Sequence, residues 1–194
     1  MIKAVIFDCF GVLYADPGLL FYEANVPNYA ALRPDILQID RQCDRGLINQ
    51  EEHNRAIAEL TGLSYEAVKH GIQSRHARND ALLAYSQGLR DSYKVGMLSN
   101  IGKGSMESFF SSEEQAALFD ASILSSDVGM VKPDIEIFHE MALHLDVQPS
   151  ECVMIDDRQD NCDGAVAAGM HAVLHADTQT TIEAVQSLLQ PVHA

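Results

Sequence analysis

Basic residues are scarce in this chain of 194 residues: 13 Lys and Arg stand against 28 Asp and Glu, giving a formal net charge of −15. The few cations are scattered. Nucleic-acid recognition needs clustered Lys or Arg against phosphate, so that class of function is excluded. An anionic small molecule would have to find local positive charge instead. Cysteine is also sparse, and Cys9, Cys43, Cys152 and Cys162 include no CxxC pair. Two of them follow or open apolar segments, which argues for reduced, buried thiols and a cytoplasmic location. Long apolar runs are missing as well. The run from Ala4 is broken by Asp8 and ends without a small-residue cleavage site, and nowhere do about 18 apolar residues follow one another. Neither a signal peptide nor a membrane span is expected. No repeat, low-complexity tract or long linker is present.

What remains is the composition of a globular domain, 47% hydrophobic and 21% charged, and disorder is not indicated. The length suits one domain with a modest insertion. Short apolar runs recur at Ala4 to Phe7, Val95 to Leu98, Ala121 to Leu124, Cys152 to Ile155 and Ala172 to Leu174, each followed by a polar or glycine-containing turn. Runs of that length suit strands buried on both faces. Helical patterns at Asp134 to Leu145, Asn161 to Ala168 and Thr178 to Leu189 separate or follow the later ones. The alternation predicts an α/β fold with a Rossmann-like parallel sheet.

From about Pro17 to Asp91 the alternation stops and consecutive helices are expected, with no convincing strand. Asn49 with Glu52 has the pattern of a capping box, and Ser64 can cap a helix over Tyr65 to Gln73. Leu82, Tyr85 and Leu89 continue the periodicity in a further helix. The expected organisation is an α/β core of residues 1–16 and 92–194 with a helical cap, residues 17–91, inserted on short hinges.

In an open parallel sheet the ligand crevice lies beyond the carboxyl ends of the strands, where residues distant in sequence converge. Four strand ends carry chemistry. Asp8 follows Val5-Ile6-Phe7 and precedes Cys9-Phe10-Gly11, whose glycine permits a sharp turn. Ser99-Asn100 closes Val95 to Leu98 and can offer a hydroxyl and N–H groups to an anion. Lys132 stands immediately before a helix that Pro133 is suited to begin, where a cation opposes the helix dipole unless it faces an anion. Asp156-Asp157 closes Cys152 to Ile155, and two adjacent carboxylates at a buried strand end repel unless a cation or hydrogen-bond donors neutralise them. A hard ion such as Mg2+ takes such oxygens. Taken singly, each has a plain alternative: a turn, a helix cap or a solvated lysine.

Together the segments resemble the haloacid dehalogenase superfamily over nearly the whole chain. Phe7-Asp8-Cys9-Phe10-Gly11-Val12-Leu13 is similar to its first motif, Leu98-Ser99-Asn100 to its second, Val131-Lys132-Pro133-Asp134 to its third, and Ile155-Asp156-Asp157 with Asp160-Asn161 to its fourth. The helical insertion is placed like that family's small cap. The resemblance implies a Mg2+-dependent phosphatase of a small-molecule phosphate ester, with Asp8 as the nucleophile that forms an aspartyl-phosphate. It further implies that Ser99 and the Asn100 backbone hold the transferring group and that Lys132 pairs with Asp8 and the phosphate. Asp157 would bind the metal directly and Asp156 would orient its shell, an assignment the adjacent pair could exchange. The carbonyl of Phe10 would supply another metal oxygen. A role in an oligomer is left open.

The sequence departs from that pattern at Phe10, where family phosphatases place an aspartate that protonates the leaving oxygen and later activates water. A phenyl ring transfers no proton. General acid–base help is worth roughly a hundred- to ten-thousand-fold in rate, so its loss leaves several readings: an easy leaving group, another acid recruited from the cap, slow turnover, a different reaction, or a phosphate- and metal-binding member without turnover. The different reaction would be displacement of halide from a 2-haloacid, which requires no metal. Phe10 favours it, and the Asp156-Asp157 pair beside Asp8 disfavours it. Its carboxylate clamp would be one of Arg33, Arg41, Arg45, Arg75 and Arg78. His53, His70 and His76 show no metal-ligand spacing and are expected at the surface or in packing.

Overall fold

The computed structural model describes residues 1–74, 77–104 and 106–190. Five strands form one parallel sheet: β1 (Ala4–Phe7), β2 (Lys94–Ser99), β3 (Ala121–Leu124), β4 (Cys152–Asp156) and β5 (His171–Leu174). Their spatial order is β3-β2-β1-β4-β5, so the first strand is central. Alternation of side chains across the strands divides the core. Val5, Phe7, Val95, Met97, Val153 and Ile155 pack in one cluster, whereas Ala4, Ile6, Leu98, Cys152 and Met154 pack in another.

Ten helices surround or extend the sheet among the described residues. The first four, α1 (Pro17–Asn25), α2 (Tyr29–Asp44), α3 (Gln50–Thr61) and α4 (Tyr65–Gln73), follow β1 in sequence. They bury a cluster of their own, built on Phe21, Tyr22, Val26, Ile36, Ile57 and Val68. The caps expected at Asn49 and Ser64 form: the Asn49 side chain accepts the Glu52 N–H, and the Ser64 hydroxyl accepts the Ala67 N–H. Next comes α5 (Asp80–Leu89), whose Leu82, Leu83 and Leu89 pack with the sheet residues Val5, Phe7 and Val95. Its long apolar side chains cover the sheet, unlike those of the helices before it.

On the remaining chain lie α6 (Ser112–Leu118), α7 (Ser125–Val128), α8 (Ile135–His144), α9 (Gln159–Ala167) and α10 (Thr178–Leu189). α6 carries a second capping box, Ser111 with Glu114. The structure corrects the expected start of α8: Asp134 is its N-cap and Ile135 its first residue, so Pro133 lies outside it. α8 lies close to β2 because position 96 is glycine. A Cβ there would stand 2.1 Å from Met141 Cε.

Candidate active site

The parallel register brings the strand ends level. Phe7 is paired with Met97 on one side and Ile155 on the other, so Asp8 emerges beside Leu98-Ser99 and Asp156. The Asp8 N–H still donates to the Ile155 carbonyl at 2.9 Å, which holds the first residue past β1 in line. Beyond it the chain folds back: the Leu13 and Tyr14 N–H groups both donate to the Cys9 carbonyl. Gly11 takes a left-handed φ of +86°, and a Cβ there would lie 2.3 Å from Asp157 Cγ. Only glycine permits that turn against that carboxylate.

Lys132 is the hub. Its ammonium is 2.9 Å from Asp8 Oδ1 and 2.6 Å from Asp156 Oδ2, and its side chain has no solvent exposure. Burial opposes its charge, but Asp156 and Asp8 outweigh that and raise its pKa, so it stays an ammonium. The Cys9 N–H adds a 2.7 Å hydrogen bond to the same Asp8 oxygen, and Oδ2 of Asp8 has no partner among the described residues. Asp156 is fully engaged: Oδ1 accepts from the Arg158 N–H at 3.0 Å and from the Asn161 amide at 2.9 Å, while Oδ2 takes Lys132. Asp157 is more exposed, and the one hydrogen bond to its carboxylate among the described residues comes from its own backbone N–H.

Charge is not balanced here. Asp8 is raised by burial, lowered by Lys132, and raised again by Asp156 and Asp157. Asp157 is pushed up to about 6, by burial first and by Asp156 next. One lysine therefore faces three carboxylates.

Ser99 and Asn100 behave differently from each other. The Ser99 hydroxyl is buried and has no hydrogen-bond partner among the described residues, an unusual state unless a ligand supplies one. The Asn100 side chain is committed to the turn before α8: its amide donates to the Lys132 carbonyl at 3.0 Å and its Oδ1 accepts the Lys132 N–H at 2.9 Å. It positions the lysine. The ring of Phe10 packs edge-on against Phe109, with centroids 4.7 Å apart, and no described residue donates to the Phe10 carbonyl.

Of the arginines that could have served as a carboxylate clamp, Arg45 pairs with Asp134 and Arg78 with Glu114 and Asp80, while Arg33 and Arg41 are exposed. Arg75, like His76, lies outside the described residues. His70 is exposed, whereas His53 is buried on α3 with its Nε2 2.7 Å from Asp40. Two further charged groups bear on the site. Asp16, the N-cap of α1, and Arg158, bidentate on Asp160, both interact electrostatically with Asp157. Neither stands out in the sequence, because a helix cap and a surface arginine account for them equally well.

A parallel α/β sheet whose central strand ends in a lysine-paired carboxylate, with two more carboxylates at the next strand end, defines a hydrolase of the Rossmann-like class. A family model described as haloacid dehalogenase-like hydrolase matches residues 2–169, and the chain belongs to that family.

Among characterised relatives, the chain is 24% identical over 193 residues to a sesquiterpene phosphatase of Aspergillus oryzae, covering 96% of each protein. It is 28% identical over 138 residues to a drimenol cyclase of Aspergillus calidoustus, in a match covering 68% of this chain and 26% of that protein, so it spans about a quarter of the latter's length. Two solved structures share the fold. A HAD family enzyme of Bacteroides thetaiotaomicron, in complex with magnesium and inorganic phosphate, superposes with a TM-score of 0.72 at 23% identity, covering 94% of this chain and 99% of that one. An L-2-haloacid dehalogenase of Xanthobacter autotrophicus with covalently bound chloropropionic acid gives a TM-score of 0.65 at 20% identity, covering 99% and 86%.

Proposed function

We propose that this chain is a Mg2+-dependent phosphatase of a small phosphate ester, acting from the cytoplasm through a covalent aspartyl-phosphate on Asp8. The observation that carries the reading is the three-carboxylate set, Asp8, Asp156 and Asp157, whose candidate ligand oxygens lie within 4.8 Å of one another. Oxygens opposite each other across an octahedral Mg2+ are about 4.2 Å apart, so a small contraction of the set would bring its oxygens onto one ion. Three carboxylates against one ammonium also call for a further cation. The residues present therefore fit the metal: Asp8, Asp157 and the Phe10 carbonyl would hold it, with Asp156 oriented beside them. Asp157 is the better direct ligand, because the oxygens of Asp156 are already taken.

Bound there, the ion would neutralise the phosphoryl oxygens and let an anionic ester approach Asp8. The chain's own groups supply the rest. Lys132 pairs with Asp8 Oδ1 and opposes the burial that raises its pKa, leaving Oδ2 to attack phosphorus in line. The unpartnered Ser99 hydroxyl and the Asn100 N–H hold the transferring group, while Asn100's side chain keeps Lys132 in register. Helices α1 to α4 act as the cap, packed on an apolar cluster of their own. The four buried cysteines are all unpaired, which fits a reducing compartment.

Several phosphate esters and 2-haloacids, assayed with and without Mg2+, test the reading. Metal-dependent phosphate release is expected. Metal-independent halide release would instead assign the dehalogenase reaction that Phe10 permits.

The surplus carboxylate predicts an effect on stability. Asp157 is held near 6 against an ordinary value of 3.8, so the folded state prefers it protonated. Its contribution is greatest below about pH 4 and is lost as pH rises through about 6. Asp157→Asn should therefore raise the melting temperature of the metal-free protein at pH 7.5. It should also abolish the further rise that millimolar Mg2+ gives the unsubstituted protein. Thermal melts with and without Mg2+ at pH 5 and 7.5 read both effects.

A further inference from the structure

The last turn of α2 is clamped to the core beside the site. The carbonyl of Asp44 accepts the Ser125 hydroxyl at 2.7 Å, and that hydroxyl accepts the Ile101 N–H at 2.9 Å. The Cβ position of Gly102 lies 2.6 Å from Cys43 Sγ, so only glycine lets the helix end settle there. Arg45 closes the clamp with its 3.0 Å bond to Asp134. Residues 43–45 are thereby seated on the loop that follows Ser99-Asn100 and on the turn that follows Lys132. The Asp44 carboxyl comes within electrostatic range of Lys132, whose ammonium is 2.9 Å from Asp8.

Four other proton-carrying groups of these helices and their hinge already have partners. Asp16 accepts the Leu19 N–H at 2.9 Å as the cap of α1. Asp40 Oδ1 accepts the Tyr22 hydroxyl at 3.2 Å and is 2.7 Å from His53 Nε2. His53 Nδ1 lies 3.2 Å from both the Gln50 amide and Asn54 Oδ1, so neither ring nitrogen is available. The Tyr14 hydroxyl donates to the Phe109 carbonyl at 2.7 Å. The Asp44 side chain has neither a hydrogen bond nor an ion pair among the described residues.

We propose that Asp44 is the general acid–base of the reaction, serving from the cap in place of the carboxylate that Phe10 lacks. The inference rests on the phosphatase reading. In the first step Asp8 Oδ2 bonds to phosphorus, the phosphorus–oxygen bond to the leaving group breaks, and the departing oxygen takes the proton of Asp44. In the second step water attacks the aspartyl-phosphate while the Asp44 carboxylate takes a proton from it. The bond between phosphorus and Asp8 breaks, which releases phosphate and restores both carboxyl groups.

The surroundings suit a group that must change protonation in each half-reaction. Burial and then Asp40 push Asp44 up to about 7, with His53 and Lys132 pulling down and Asp16 pushing up. Of the other charges on adjoining elements, Arg45 is paired with Asp134 and Asp127 of α7 is exposed. An acid near 7 is half protonated at neutral pH, the condition in which one group can both give and take a proton.

Asp44→Asn tests this with two substrates in the presence of Mg2+: an alkyl phosphate, whose leaving alkoxide must be protonated, and p-nitrophenyl phosphate, whose leaving phenolate need not be. Turnover of the alkyl ester should fall about 100- to 10,000-fold. Nitrophenolate should still appear at nearly the unsubstituted rate in the first turnover, followed by a slow phase in which phosphorylated protein accumulates. Adding Phe10→Asp to Asp44→Asn should restore at least tenfold of the lost alkyl activity, which a merely structural role for Asp44 would not allow.

Unchanged alkyl turnover in Asp44→Asn, or equal first-turnover losses on both substrates, would overturn the proposal. Should the variant not fold, the unsubstituted protein decides. Its kcat/KM for the alkyl ester should decline above about pH 7 while its first turnover of p-nitrophenyl phosphate does not, and coincident profiles would refute the assignment. Asp8→Asn separates the two readings. If it remains active the phosphatase mechanism itself fails; if it is inactive while Asp44→Asn is normal, only the role of Asp44 fails.

Discussion

Asp8→Asn is expected to abolish phosphate release, with a loss on the order of 10,000-fold or more, while leaving the protein folded. The size follows from the role. A nucleophile that forms a covalent intermediate cannot be partly replaced by its neighbours, and removing such a group from a concerted set costs about as much as removing the whole set. An amide retains the shape of the carboxylate and can still accept from Lys132 and the Cys9 N–H, which bind Oδ1 at 2.9 and 2.7 Å. Its oxygen is too weak a nucleophile to open a phosphate ester. Because the substitution also removes one of three mutually repelling carboxylates, the melting temperature should hold or rise. Steady-state phosphate release, with acid-quenched labelling for the phosphoenzyme, measures the loss. Residual activity within tenfold of the unsubstituted protein would exclude the covalent route.

The second large effect is expected at Lys132, on stability as well as on turnover. Lys132→Met keeps the length of the side chain and deletes the ammonium between two carboxylates that are 6% and 0% exposed. Removing one partner of a buried ion pair costs about 3–5 kcal/mol, because the remaining charges stay buried and uncompensated. In a domain of this size about 1 kcal/mol corresponds to about 2–4 °C, so a fall of roughly 6–20 °C is expected in a metal-free melt.

Pairing is the cause, and a double variant separates it from lost packing. Lys132→Met with Asp156→Asn should recover a substantial part of the loss, since the second substitution removes the charge that the first exposes. Strict additivity would show instead that Lys132 matters for its methylenes. Phosphate release should fall at least a hundredfold in either background, because the anionic nucleophile and the anionic ester would then meet without the ammonium that separates them.

These expectations rest on residues that are legible in the sequence, and the reason lies in how a parallel sheet is built. Strands buried on both faces read as short apolar runs, so the polar residue that ends each run marks the crevice. Asp8, Ser99 and Asp156-Asp157 stand out in that way, Lys132 stands out as a cation just before a helix start, and the caps at Asn49 and Ser64 mark helices by local pattern. The start of α8 differs by one residue from its sequence pattern. Proline is favoured at the first helical position, but here Asp134 caps the helix and Pro133 stays in the turn that carries Lys132.

The helices that follow β1 are less readable. An aspartate on a surface helix has the same sequence signature whether it faces water or a crevice. Asp40 and Asp44 therefore carry no signal, and His53 looks like an ordinary packing histidine. Nothing local distinguishes Asp44 from Asp35 on the same helix. The difference is that its helix end meets Ser125, Ile101 and Gly102, residues more than fifty positions away.

By itself, then, the sequence determined the parallel α/β core, the strand-end carboxylates and lysine, and the absence of an acid at Phe10, because each is set by chain-local pattern. Tertiary structure alone decided that Lys132 bridges Asp8 and Asp156, that Asn100 serves the lysine through its side chain, that the described residues leave Ser99 unpartnered, and that Asp44 comes within electrostatic range of the lysine. Those are distances between strand ends and a helix terminus, fixed by register and packing across the fold.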